Sequence, residues 1–463
     1  MRIALAAVLA AVIIAGGVLV ALSGHTAIWV SPALTSIGVS TPVTVRLANP
    51  HGVREIRVWL AQGDAKYPLF ESRRAATRLL WHRHEEASYE TFEAGKAKAP
   101  DLKDGPASLV VETVSNDFAG RTDSAEYKIT VVLEPPGIAA DGQRHYINQG
   151  GAEVVVFTPG GSWTEAGARV GRYTFRSFPL PGSSTQRFSM IAYPWDLPGN
   201  VVPVVYARNM AGAEATAPVT VTIKPKKFRA RDFDLTDELA EKLVHSVDPT
   251  GSLAPGKDLL ARFLFINGPM RRHDNQQLAD LRVQTEEKIF WTGAFMHWGK
   301  EEANFADLRN YVYHGKKVDQ QVHLGFDLSD VAHGPVFAAN NGRVVWARDL
   351  GIYGNCIVLD HGYSVQSIYG HLSEIGVKVG DWVDKGKRIG TAGETGLAGG
   401  IHVHFGMQVD GVQVNPREWW DEHWIHDHVL IRLQPEAAPH EKAAPREKAA
   451  PAPTQAHHHK KKR

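Results

Sequence analysis

The chain has 463 residues, 43% of them hydrophobic and 22% charged, with a net charge of +1. So even a balance excludes the basic face that nucleic-acid binding needs, and the ordinary composition at this length implies about three folded domains. A single cysteine, Cys356, excludes an internal disulfide, so stability has to come from packing around this buried, inert thiol.

From Ile3 to Leu22 the chain is almost uninterruptedly apolar, preceded only by Met1 and Arg2. About 20 such residues suffice to cross a bilayer as a helix. A secretory signal peptide has a shorter core ending in small residues, and Ala21-Leu22-Ser23 is a poor cleavage site. The expectation over 1–25 is therefore an uncleaved transmembrane signal anchor, single-pass in the inner (cytoplasmic) membrane, with the rest of the chain in the periplasm or extracellular space. No cysteine lies nearby to carry a lipid.

Two blocks of short alternating strands follow. Residues 26–134 contain VTVRLAN, EIRVWLA, SLVVETVSN and YKITVVLE, and residues 135–224 contain EVVVFTP, RYTFRSF, FSMIAYPWD and PVTVTIK. Glycine, proline and polar turns separate them, the pattern of a β-sandwich. The ends of the blocks align, SNDFAGRTDSAEYKITVV with ARNMAGAEATAPVTVTIK, placing Gly120 and Gly212 in corresponding turns. Both blocks resemble bacterial immunoglobulin-like (Ig-like) modules, which implies spacers, or surfaces for the cell wall and for envelope protein partners.

Residues 225–321 begin with the basic linker KPKKFRARD and continue with helical periodicity. Leu239 and Leu243 stand four apart behind candidate caps Asp234 and Thr236, and DNQQLADLRVQTEEK reads as a second helix. A small helical connecting region is expected here. Its aromatic cluster FWTGAFMHW is expected to pack on the domain that follows, and the region itself is a candidate lid over that domain's cleft.

Residues 322–433 carry the chemistry. His323 and Asp327 stand in HLGFD, His371 in YGHL, and His402 with His404 in HVHFG. A hydrolytic zinc site takes three imidazole or carboxylate ligands and leaves a position for water, so five such residues supply a ligand set and two histidines for proton traffic. Alternation along a strand turns His402 and His404 to one side and Val403 to the other. Four residues of extended chain would separate His323 from Asp327 by about 13 Å, too far for one metal, so the backbone must bend, and Gly325 sits where a bend or a close approach is needed. Lone histidines such as His314, His333 and His361 read as packed or solvent-facing residues. In VKVGDWVDKGKRIG, Gly380, Gly386 and Gly390 serve hairpin turns, and Lys385 lacks the flanks of a lipoyl carrier.

With GPVFAANNGRVV, YGNCIVLDHG, GETGLAGGIHVHF and DGVQVNP, these motifs make residues 323–416 resemble the lysostaphin-type (LytM-type) zinc endopeptidases, which cut the peptide part of bacterial peptidoglycan. The resemblance implies an antiparallel β-sheet peptidase holding one Zn2+ per chain through His323, Asp327 and His404. His371 and His402 become its catalytic residues, His402 the base and His371 the oxyanion donor. It also implies peptidoglycan as the partner, with a non-catalytic or autoinhibited regulator of another cell-wall hydrolase as the alternative. Members of that kind have lost ligands, and all five residues are present here. Loops at 339–341, 349–353 and 394–400 are expected to choose the bond, with the tryptophans of REWWDEHW lining one groove wall. His423, His426 and His428 read as solvated. Residues 434–463, rich in Ala, Pro and charge, are expected to be a disordered tail. The fold class is thus mainly β: an anchor helix, two sandwiches, a helical connection and a zinc peptidase sheet.

Overall fold

A computed structural model of the protein describes residues 2–21, 23–77, 85–254, 257–329 and 333–434; the expected tail, from 435 onward, lies outside the described residues. The fold is mainly β. Arg2–Ala21 forms one α-helix, and its described apolar side chains, among them Val8, Leu9, Val12 and Ile13, are exposed. Among the described residues no helix is long and apolar enough to cross a membrane, so the structure does not bear out the expected anchor.

Residues 27–131 form two packed sheets. One pairs Ala27–Val30, Thr41–Ala48 and Ser88–Ala94; the other runs in the order Ser36–Ile37, Thr122–Val131, Gly105–Ser115, Val53–Gln62, Ala65–Arg73. In Thr41–Ala48 the residues Val43, Val45 and Leu47 are buried while Thr44 and Arg46 are not, as expected of a strand covered on one face. Between 137 and 224 a second pair of four-stranded sheets forms around Phe157, Phe175 and Phe188. Gly120 (φ 65°) and Gly212 (φ 84°) both take left-handed turns that close the hairpins entering Thr122–Val131 and Glu214–Pro218. The aligned segments therefore fold alike.

The second sandwich is not a free-standing spacer. In Arg187–Ala192 all residues but the first are buried, because one face meets the partner sheet and the other meets the C-terminal sheet. Phe178 and Phe188 hold the ring of Tyr363 at centroid distances of 5.0 and 4.9 Å. The Arg176 guanidinium and backbone N–H donate to Asp410 at 2.9 and 2.7 Å. Glu153 accepts from the His428 ring at 2.8 Å, so His428 is docked rather than solvated.

The region before the motifs is mixed, not helical. Helices form at Asp237–Val247, where the Thr236 hydroxyl accepts from the Leu239 N–H, and at Leu259–Phe265 and Arg271–Asp280. Strand Ala230–Asp234 precedes them, and strands Lys300–Ala303, Asp307–Tyr313 and Lys316–His323 follow. His314 (φ 47°) and Gly315 (φ 76°) supply the two consecutive left-handed residues of a tight hairpin turn, which makes strands of the segments on either side. The strand ending at His323 therefore starts before residue 322. Trp291 and Phe295 pack on Trp419, and Trp298 packs on Tyr369 and Phe405, as expected for that aromatic cluster.

The C-terminal sheet is antiparallel and runs Lys300–Ala303, Phe326–Ser329, Val403–Val409, Val365–Leu372, Asn355–Asp360, Gly342–Asp349, Trp382–Val383. Val365–Leu372 and Val403–Val409 are wholly buried. Cys356 lies in the core with its thiol pushed upward by burial. Lys385 donates to the Ala294 carbonyl, consistent with a scaffold role.

At the junction with the second sandwich, the buried Glu418 carboxyl accepts from Asn148 Nδ2 at 2.7 Å and from the Ala152 N–H at 2.9 Å. Burial pushes its pKa from an ordinary 4.5 up to about 7. The folded value lies above the unfolded one, so its contribution to stability is full below about pH 4.5 and is lost as pH rises through about 7. Relative to Glu418→Gln, the parent should therefore lose on the order of 3 kcal/mol between those limits. Denaturant unfolding of both proteins at pH 4.5 and 8 measures this, and a pH-independent difference would contradict it.

Candidate metal centre

His323 closes one strand, Leu324 and Gly325 turn the chain, and Asp327 belongs to the next strand, in another sheet. That turn is the bend HLGFD requires. A Cβ on Gly325 would lie 2.6 Å from His404 Nε2 and 2.7 Å from the Phe405 carbonyl, so close approach, not a special φ, demands glycine here. Asp327 and His404 are direct partners in the antiparallel pairing of Phe326–Ser329 with Val403–Val409. His404 in turn pairs with Gly370, beside His371. Register thus gathers residues from three separate motifs.

The polar atoms converge as the strands do. His323 Nε2 lies 3.0 Å from His404 Nδ1 and 2.9 Å from Asp327 Oδ1, and His404 Nδ1 lies 3.5 Å from the same oxygen. A tetrahedral ion with bonds of about 2.1 Å holds neighbouring donors about 3.4 Å apart, so this triangle has the size of a zinc face. Two imidazoles and a carboxylate are also a zinc donor set that leaves a position open. Among the described residues this is the one group of three or more His, Cys, Asp or Glu able to hold a metal ion. His323 lies 3.1 Å from the Asn304 carbonyl through Nδ1, which takes the ring proton there and leaves Nε2 a lone pair for the centre.

Charge is tuned by burial and by Asp327. Burial pushes His323 down to about 4 and lowers His404. Burial also works to raise the Asp327 carboxyl, but the surrounding histidines outweigh it and hold the group well below the usual carboxylate range. Its other oxygen, Oδ2, accepts from Arg309 at 2.5 Å. Arg309 stands on Asp307–Tyr313, outside the motifs, and sequence reasoning missed it. The available signal was the hairpin: with Asp307 opposite His323, Arg309 pairs with Gln321 and shares the face of His323.

His371 and His402 stand beside the triangle, ring centroids 4.8 Å apart. His371 has a left-handed backbone (φ 64°) at a bulge in the pairing of Asn355–Asp360 with Val365–Leu372, an uncommon conformation for a non-glycine residue and one that concentrates at functional sites. Its Nδ1 is 2.8 Å from the Thr395 carbonyl, and His402 Nδ1 is 2.8 Å from the Gly400 carbonyl. With the Nδ1 protons given to carbonyls, both rings keep Nε2 for the cavity, so geometry equips either one for either role. Burial lowers His371 strongly; at His402 burial is outweighed by Asp327, 3.3 Å away, and its pKa is raised.

The five residues line a cavity of about 350 Å³. Its other walls come from Ile352 and Tyr353 and from Leu397, Gly399 and Gly400, as expected of two loops, and from Arg231, Phe233, Arg271 and Arg309 of the preceding region. The third expected loop is not part of it: Ala339 and Asn340 are fully buried, with Asn340 Oδ1 accepting from the Thr292 N–H. Nor do the tryptophans line it, since Trp419 is buried against Trp291 and Trp420 packs on Phe326 and Phe405. His361 is packed, bonded to Asn341 and Ser367.

Such a donor triangle, open to a cleft and flanked by two histidines, has the donor set and the open side of a candidate metal site. Residues 321–416 match the model of Peptidase family M23. Over 83 residues the chain is 40% identical to lipoprotein NlpD of Yersinia enterocolitica, covering 18% of this chain and 84% of that sequence. It is 40% identical over 93 residues to peptidoglycan DD-endopeptidase ShyA of Vibrio cholerae, 20% of this chain and 22% of that protein. It is also 33% identical over 96 residues to DD-carboxypeptidase/endopeptidase Mpg of Neisseria meningitidis serogroup B, 21% of this chain and 22% of that protein. The chain belongs to peptidase family M23, through a segment spanning about a fifth of the length of the two endopeptidases.

Removing Arg309 leaves Asp327 Oδ2 without its charged donor. Arg309→Ala should weaken zinc binding by about 10–100-fold, with Arg309→Lys recovering part of it, as measured by chelator competition. Unchanged affinity in Arg309→Ala would contradict this.

Proposed function

We propose that the protein is a zinc-dependent endopeptidase hydrolysing peptide cross-links of peptidoglycan in the cell envelope, with His323, Asp327 and His404 holding one Zn2+. The observation that carries this reading is the triangle of His323 Nε2, Asp327 Oδ1 and His404 Nδ1, with two further histidines turned toward one cavity. The relatives' names as peptidoglycan DD-endopeptidase and DD-carboxypeptidase/endopeptidase support the substrate class. A zinc ion in this site supplies charge for a developing oxyanion and a water-derived nucleophile at neutral pH.

The chain's own groups do the rest. One of His371 and His402 takes the proton from the attacking water at Nε2 and returns it to the leaving amine. The other, as an imidazolium whose Nε2 proton comes from solvent while Nδ1–H stays on its carbonyl, donates to the oxyanion. By the family resemblance His402 is the base and His371 the donor. A regulator without activity is the weaker reading, because neither a ligand nor a catalytic histidine is missing.

The 20-residue helix Arg2–Ala21 is proposed as a single-pass anchor in the inner membrane, on the strength of its apolar sequence and the absence of acidic residues in its first turn. Domains are proposed at 26–134 and 135–224, Ig-like in character, with the connecting region at 225–321, the peptidase at 322–433 and a disordered tail at 434–463.

Intact sacculi digested with the zinc-loaded full chain should release uncrosslinked peptides detectable by mass spectrometry. Chelation should abolish release, and His404→Ala should reduce it by about a thousandfold or more, since that variant loses a ligand. Equal release with and without chelator would refute the zinc assignment.

A further inference from the structure

The cavity wall facing the histidines carries more positive charge than the protein itself neutralises. Ala230–Asp234 runs parallel to Asp307–Tyr313, in a register that sets Arg231 beside Arg309. Both line the cavity. Like charges directly abreast on neighbouring strands destabilise a sheet. Arg309 is neutralised by Asp327. Arg231 is not: it is exposed, and among the described residues it pairs with no carboxylate. Nearby, half-buried Arg271 donates only to neutral oxygens, the Asn267 carbonyl at 3.2 Å and Asn267 Oδ1 at 2.7 Å.

The acids that line the same cavity are already committed. Asp327 takes Arg309, Asp307 takes Arg229, and Glu302 takes Lys300 at 2.9 Å. Two guanidinium groups thus line the cleft with no ion-pair partner among the described residues, beside the apolar ring of Phe233; Asp274, which feels the charge of Arg271 on its own helix, bonds to the Ile352 N–H instead. A planar fork of N–H donors matches a carboxylate in shape as well as charge, and a ligand entering a site built for amide hydrolysis is a peptide.

We propose that Arg231 and Arg271 form a specificity subsite that binds a free carboxylate of the peptide substrate and thereby selects acidic over amidated cross-linked peptides. The subsite rests on the endopeptidase reading for the nature of its ligand. Its residues lie outside the segment matched to the family, on a strand and a helix of the preceding region.

Two measurements on the full chain test it. In the first, a cross-linked stem-peptide dimer with free carboxylates and the same dimer with amidated carboxylates are titrated calorimetrically into chelator-treated protein, which turns neither over. The parent should bind the free acid about tenfold more tightly, and Arg231→Gln/Arg271→Gln should lose that preference while keeping its affinity for the amidated dimer. The corresponding double lysine variant should keep part of the preference. No preference in the parent, or an equal loss for both dimers in the glutamine variant, would overturn the proposal. In the second, hydrolysis of both dimers by the zinc-loaded parent is followed. A binding preference without hydrolysis removes the endopeptidase reading and leaves the subsite, whereas hydrolysis of both at equal kcat/KM removes the subsite and leaves the reading.

Discussion

The antiparallel register that sets Asp327 opposite His404 is the constraint on which the site depends. A slip of one residue in either strand would leave Asp327 and His404 on opposite faces of the sheet and dissolve the donor triangle. Packing holds that register from several sides. Phe405 stacks on Trp420 and Phe326 meets it edge-on, Trp298 packs edge-on against Phe405, and Gly325 lets the chain pass His404 closely enough for His323 to arrive from another sheet. The donor triangle is thus a consequence of sheet pairing, and the charged groups are held by elements whose burial comes from apolar side chains.

That rigidity extends beyond the family segment. One continuous hydrophobic cluster runs from the second sandwich through the aromatic cluster at 290–298 into the peptidase sheet. Polar contacts at the junction include Arg176 with Asp410, Glu153 with His428, Glu418 with Asn148 and Ala152, Arg432 with Gln143, and the Asn415 N–H on the Gly150 carbonyl. The hairpin Asp307–Tyr313/Lys316–His323 joins this frame to the site, because it carries both His323 and the arginine bound to Asp327. The region before the motifs is therefore part of the cleft itself. It supplies one wall of the cavity, and with it Arg231, Arg271 and Arg309.

The motif residues were legible in the sequence because strand alternation and the HxH spacing act locally: His402 and His404 needed only period two, and the bend at Gly325 followed from the reach of an extended chain. The alternating strands within 27–131 and 137–224 were legible for the same reason, with Gly120 and Gly212 in corresponding left-handed turns. Long-range register was not legible. Arg309 meets Asp327 only because a turn at His314 and Gly315 folds one strand on the next, and no motif marks that pairing. The tryptophans of REWWDEHW illustrate the opposite failure. Their aromatic character suggested a groove wall, but Trp419 and Trp420 meet Trp291, Phe326 and Phe405, and burying such area wins over display.

Zinc-edge anomalous diffraction from crystals of the zinc-loaded full chain tests the central claim most directly. The account predicts one peak in the cavity, bounded by His323 Nε2, Asp327 Oδ1 and His404 Nδ1, with Arg309 still on Asp327 Oδ2. A cavity without a peak, or a peak whose protein ligands omit Asp327, would contradict it.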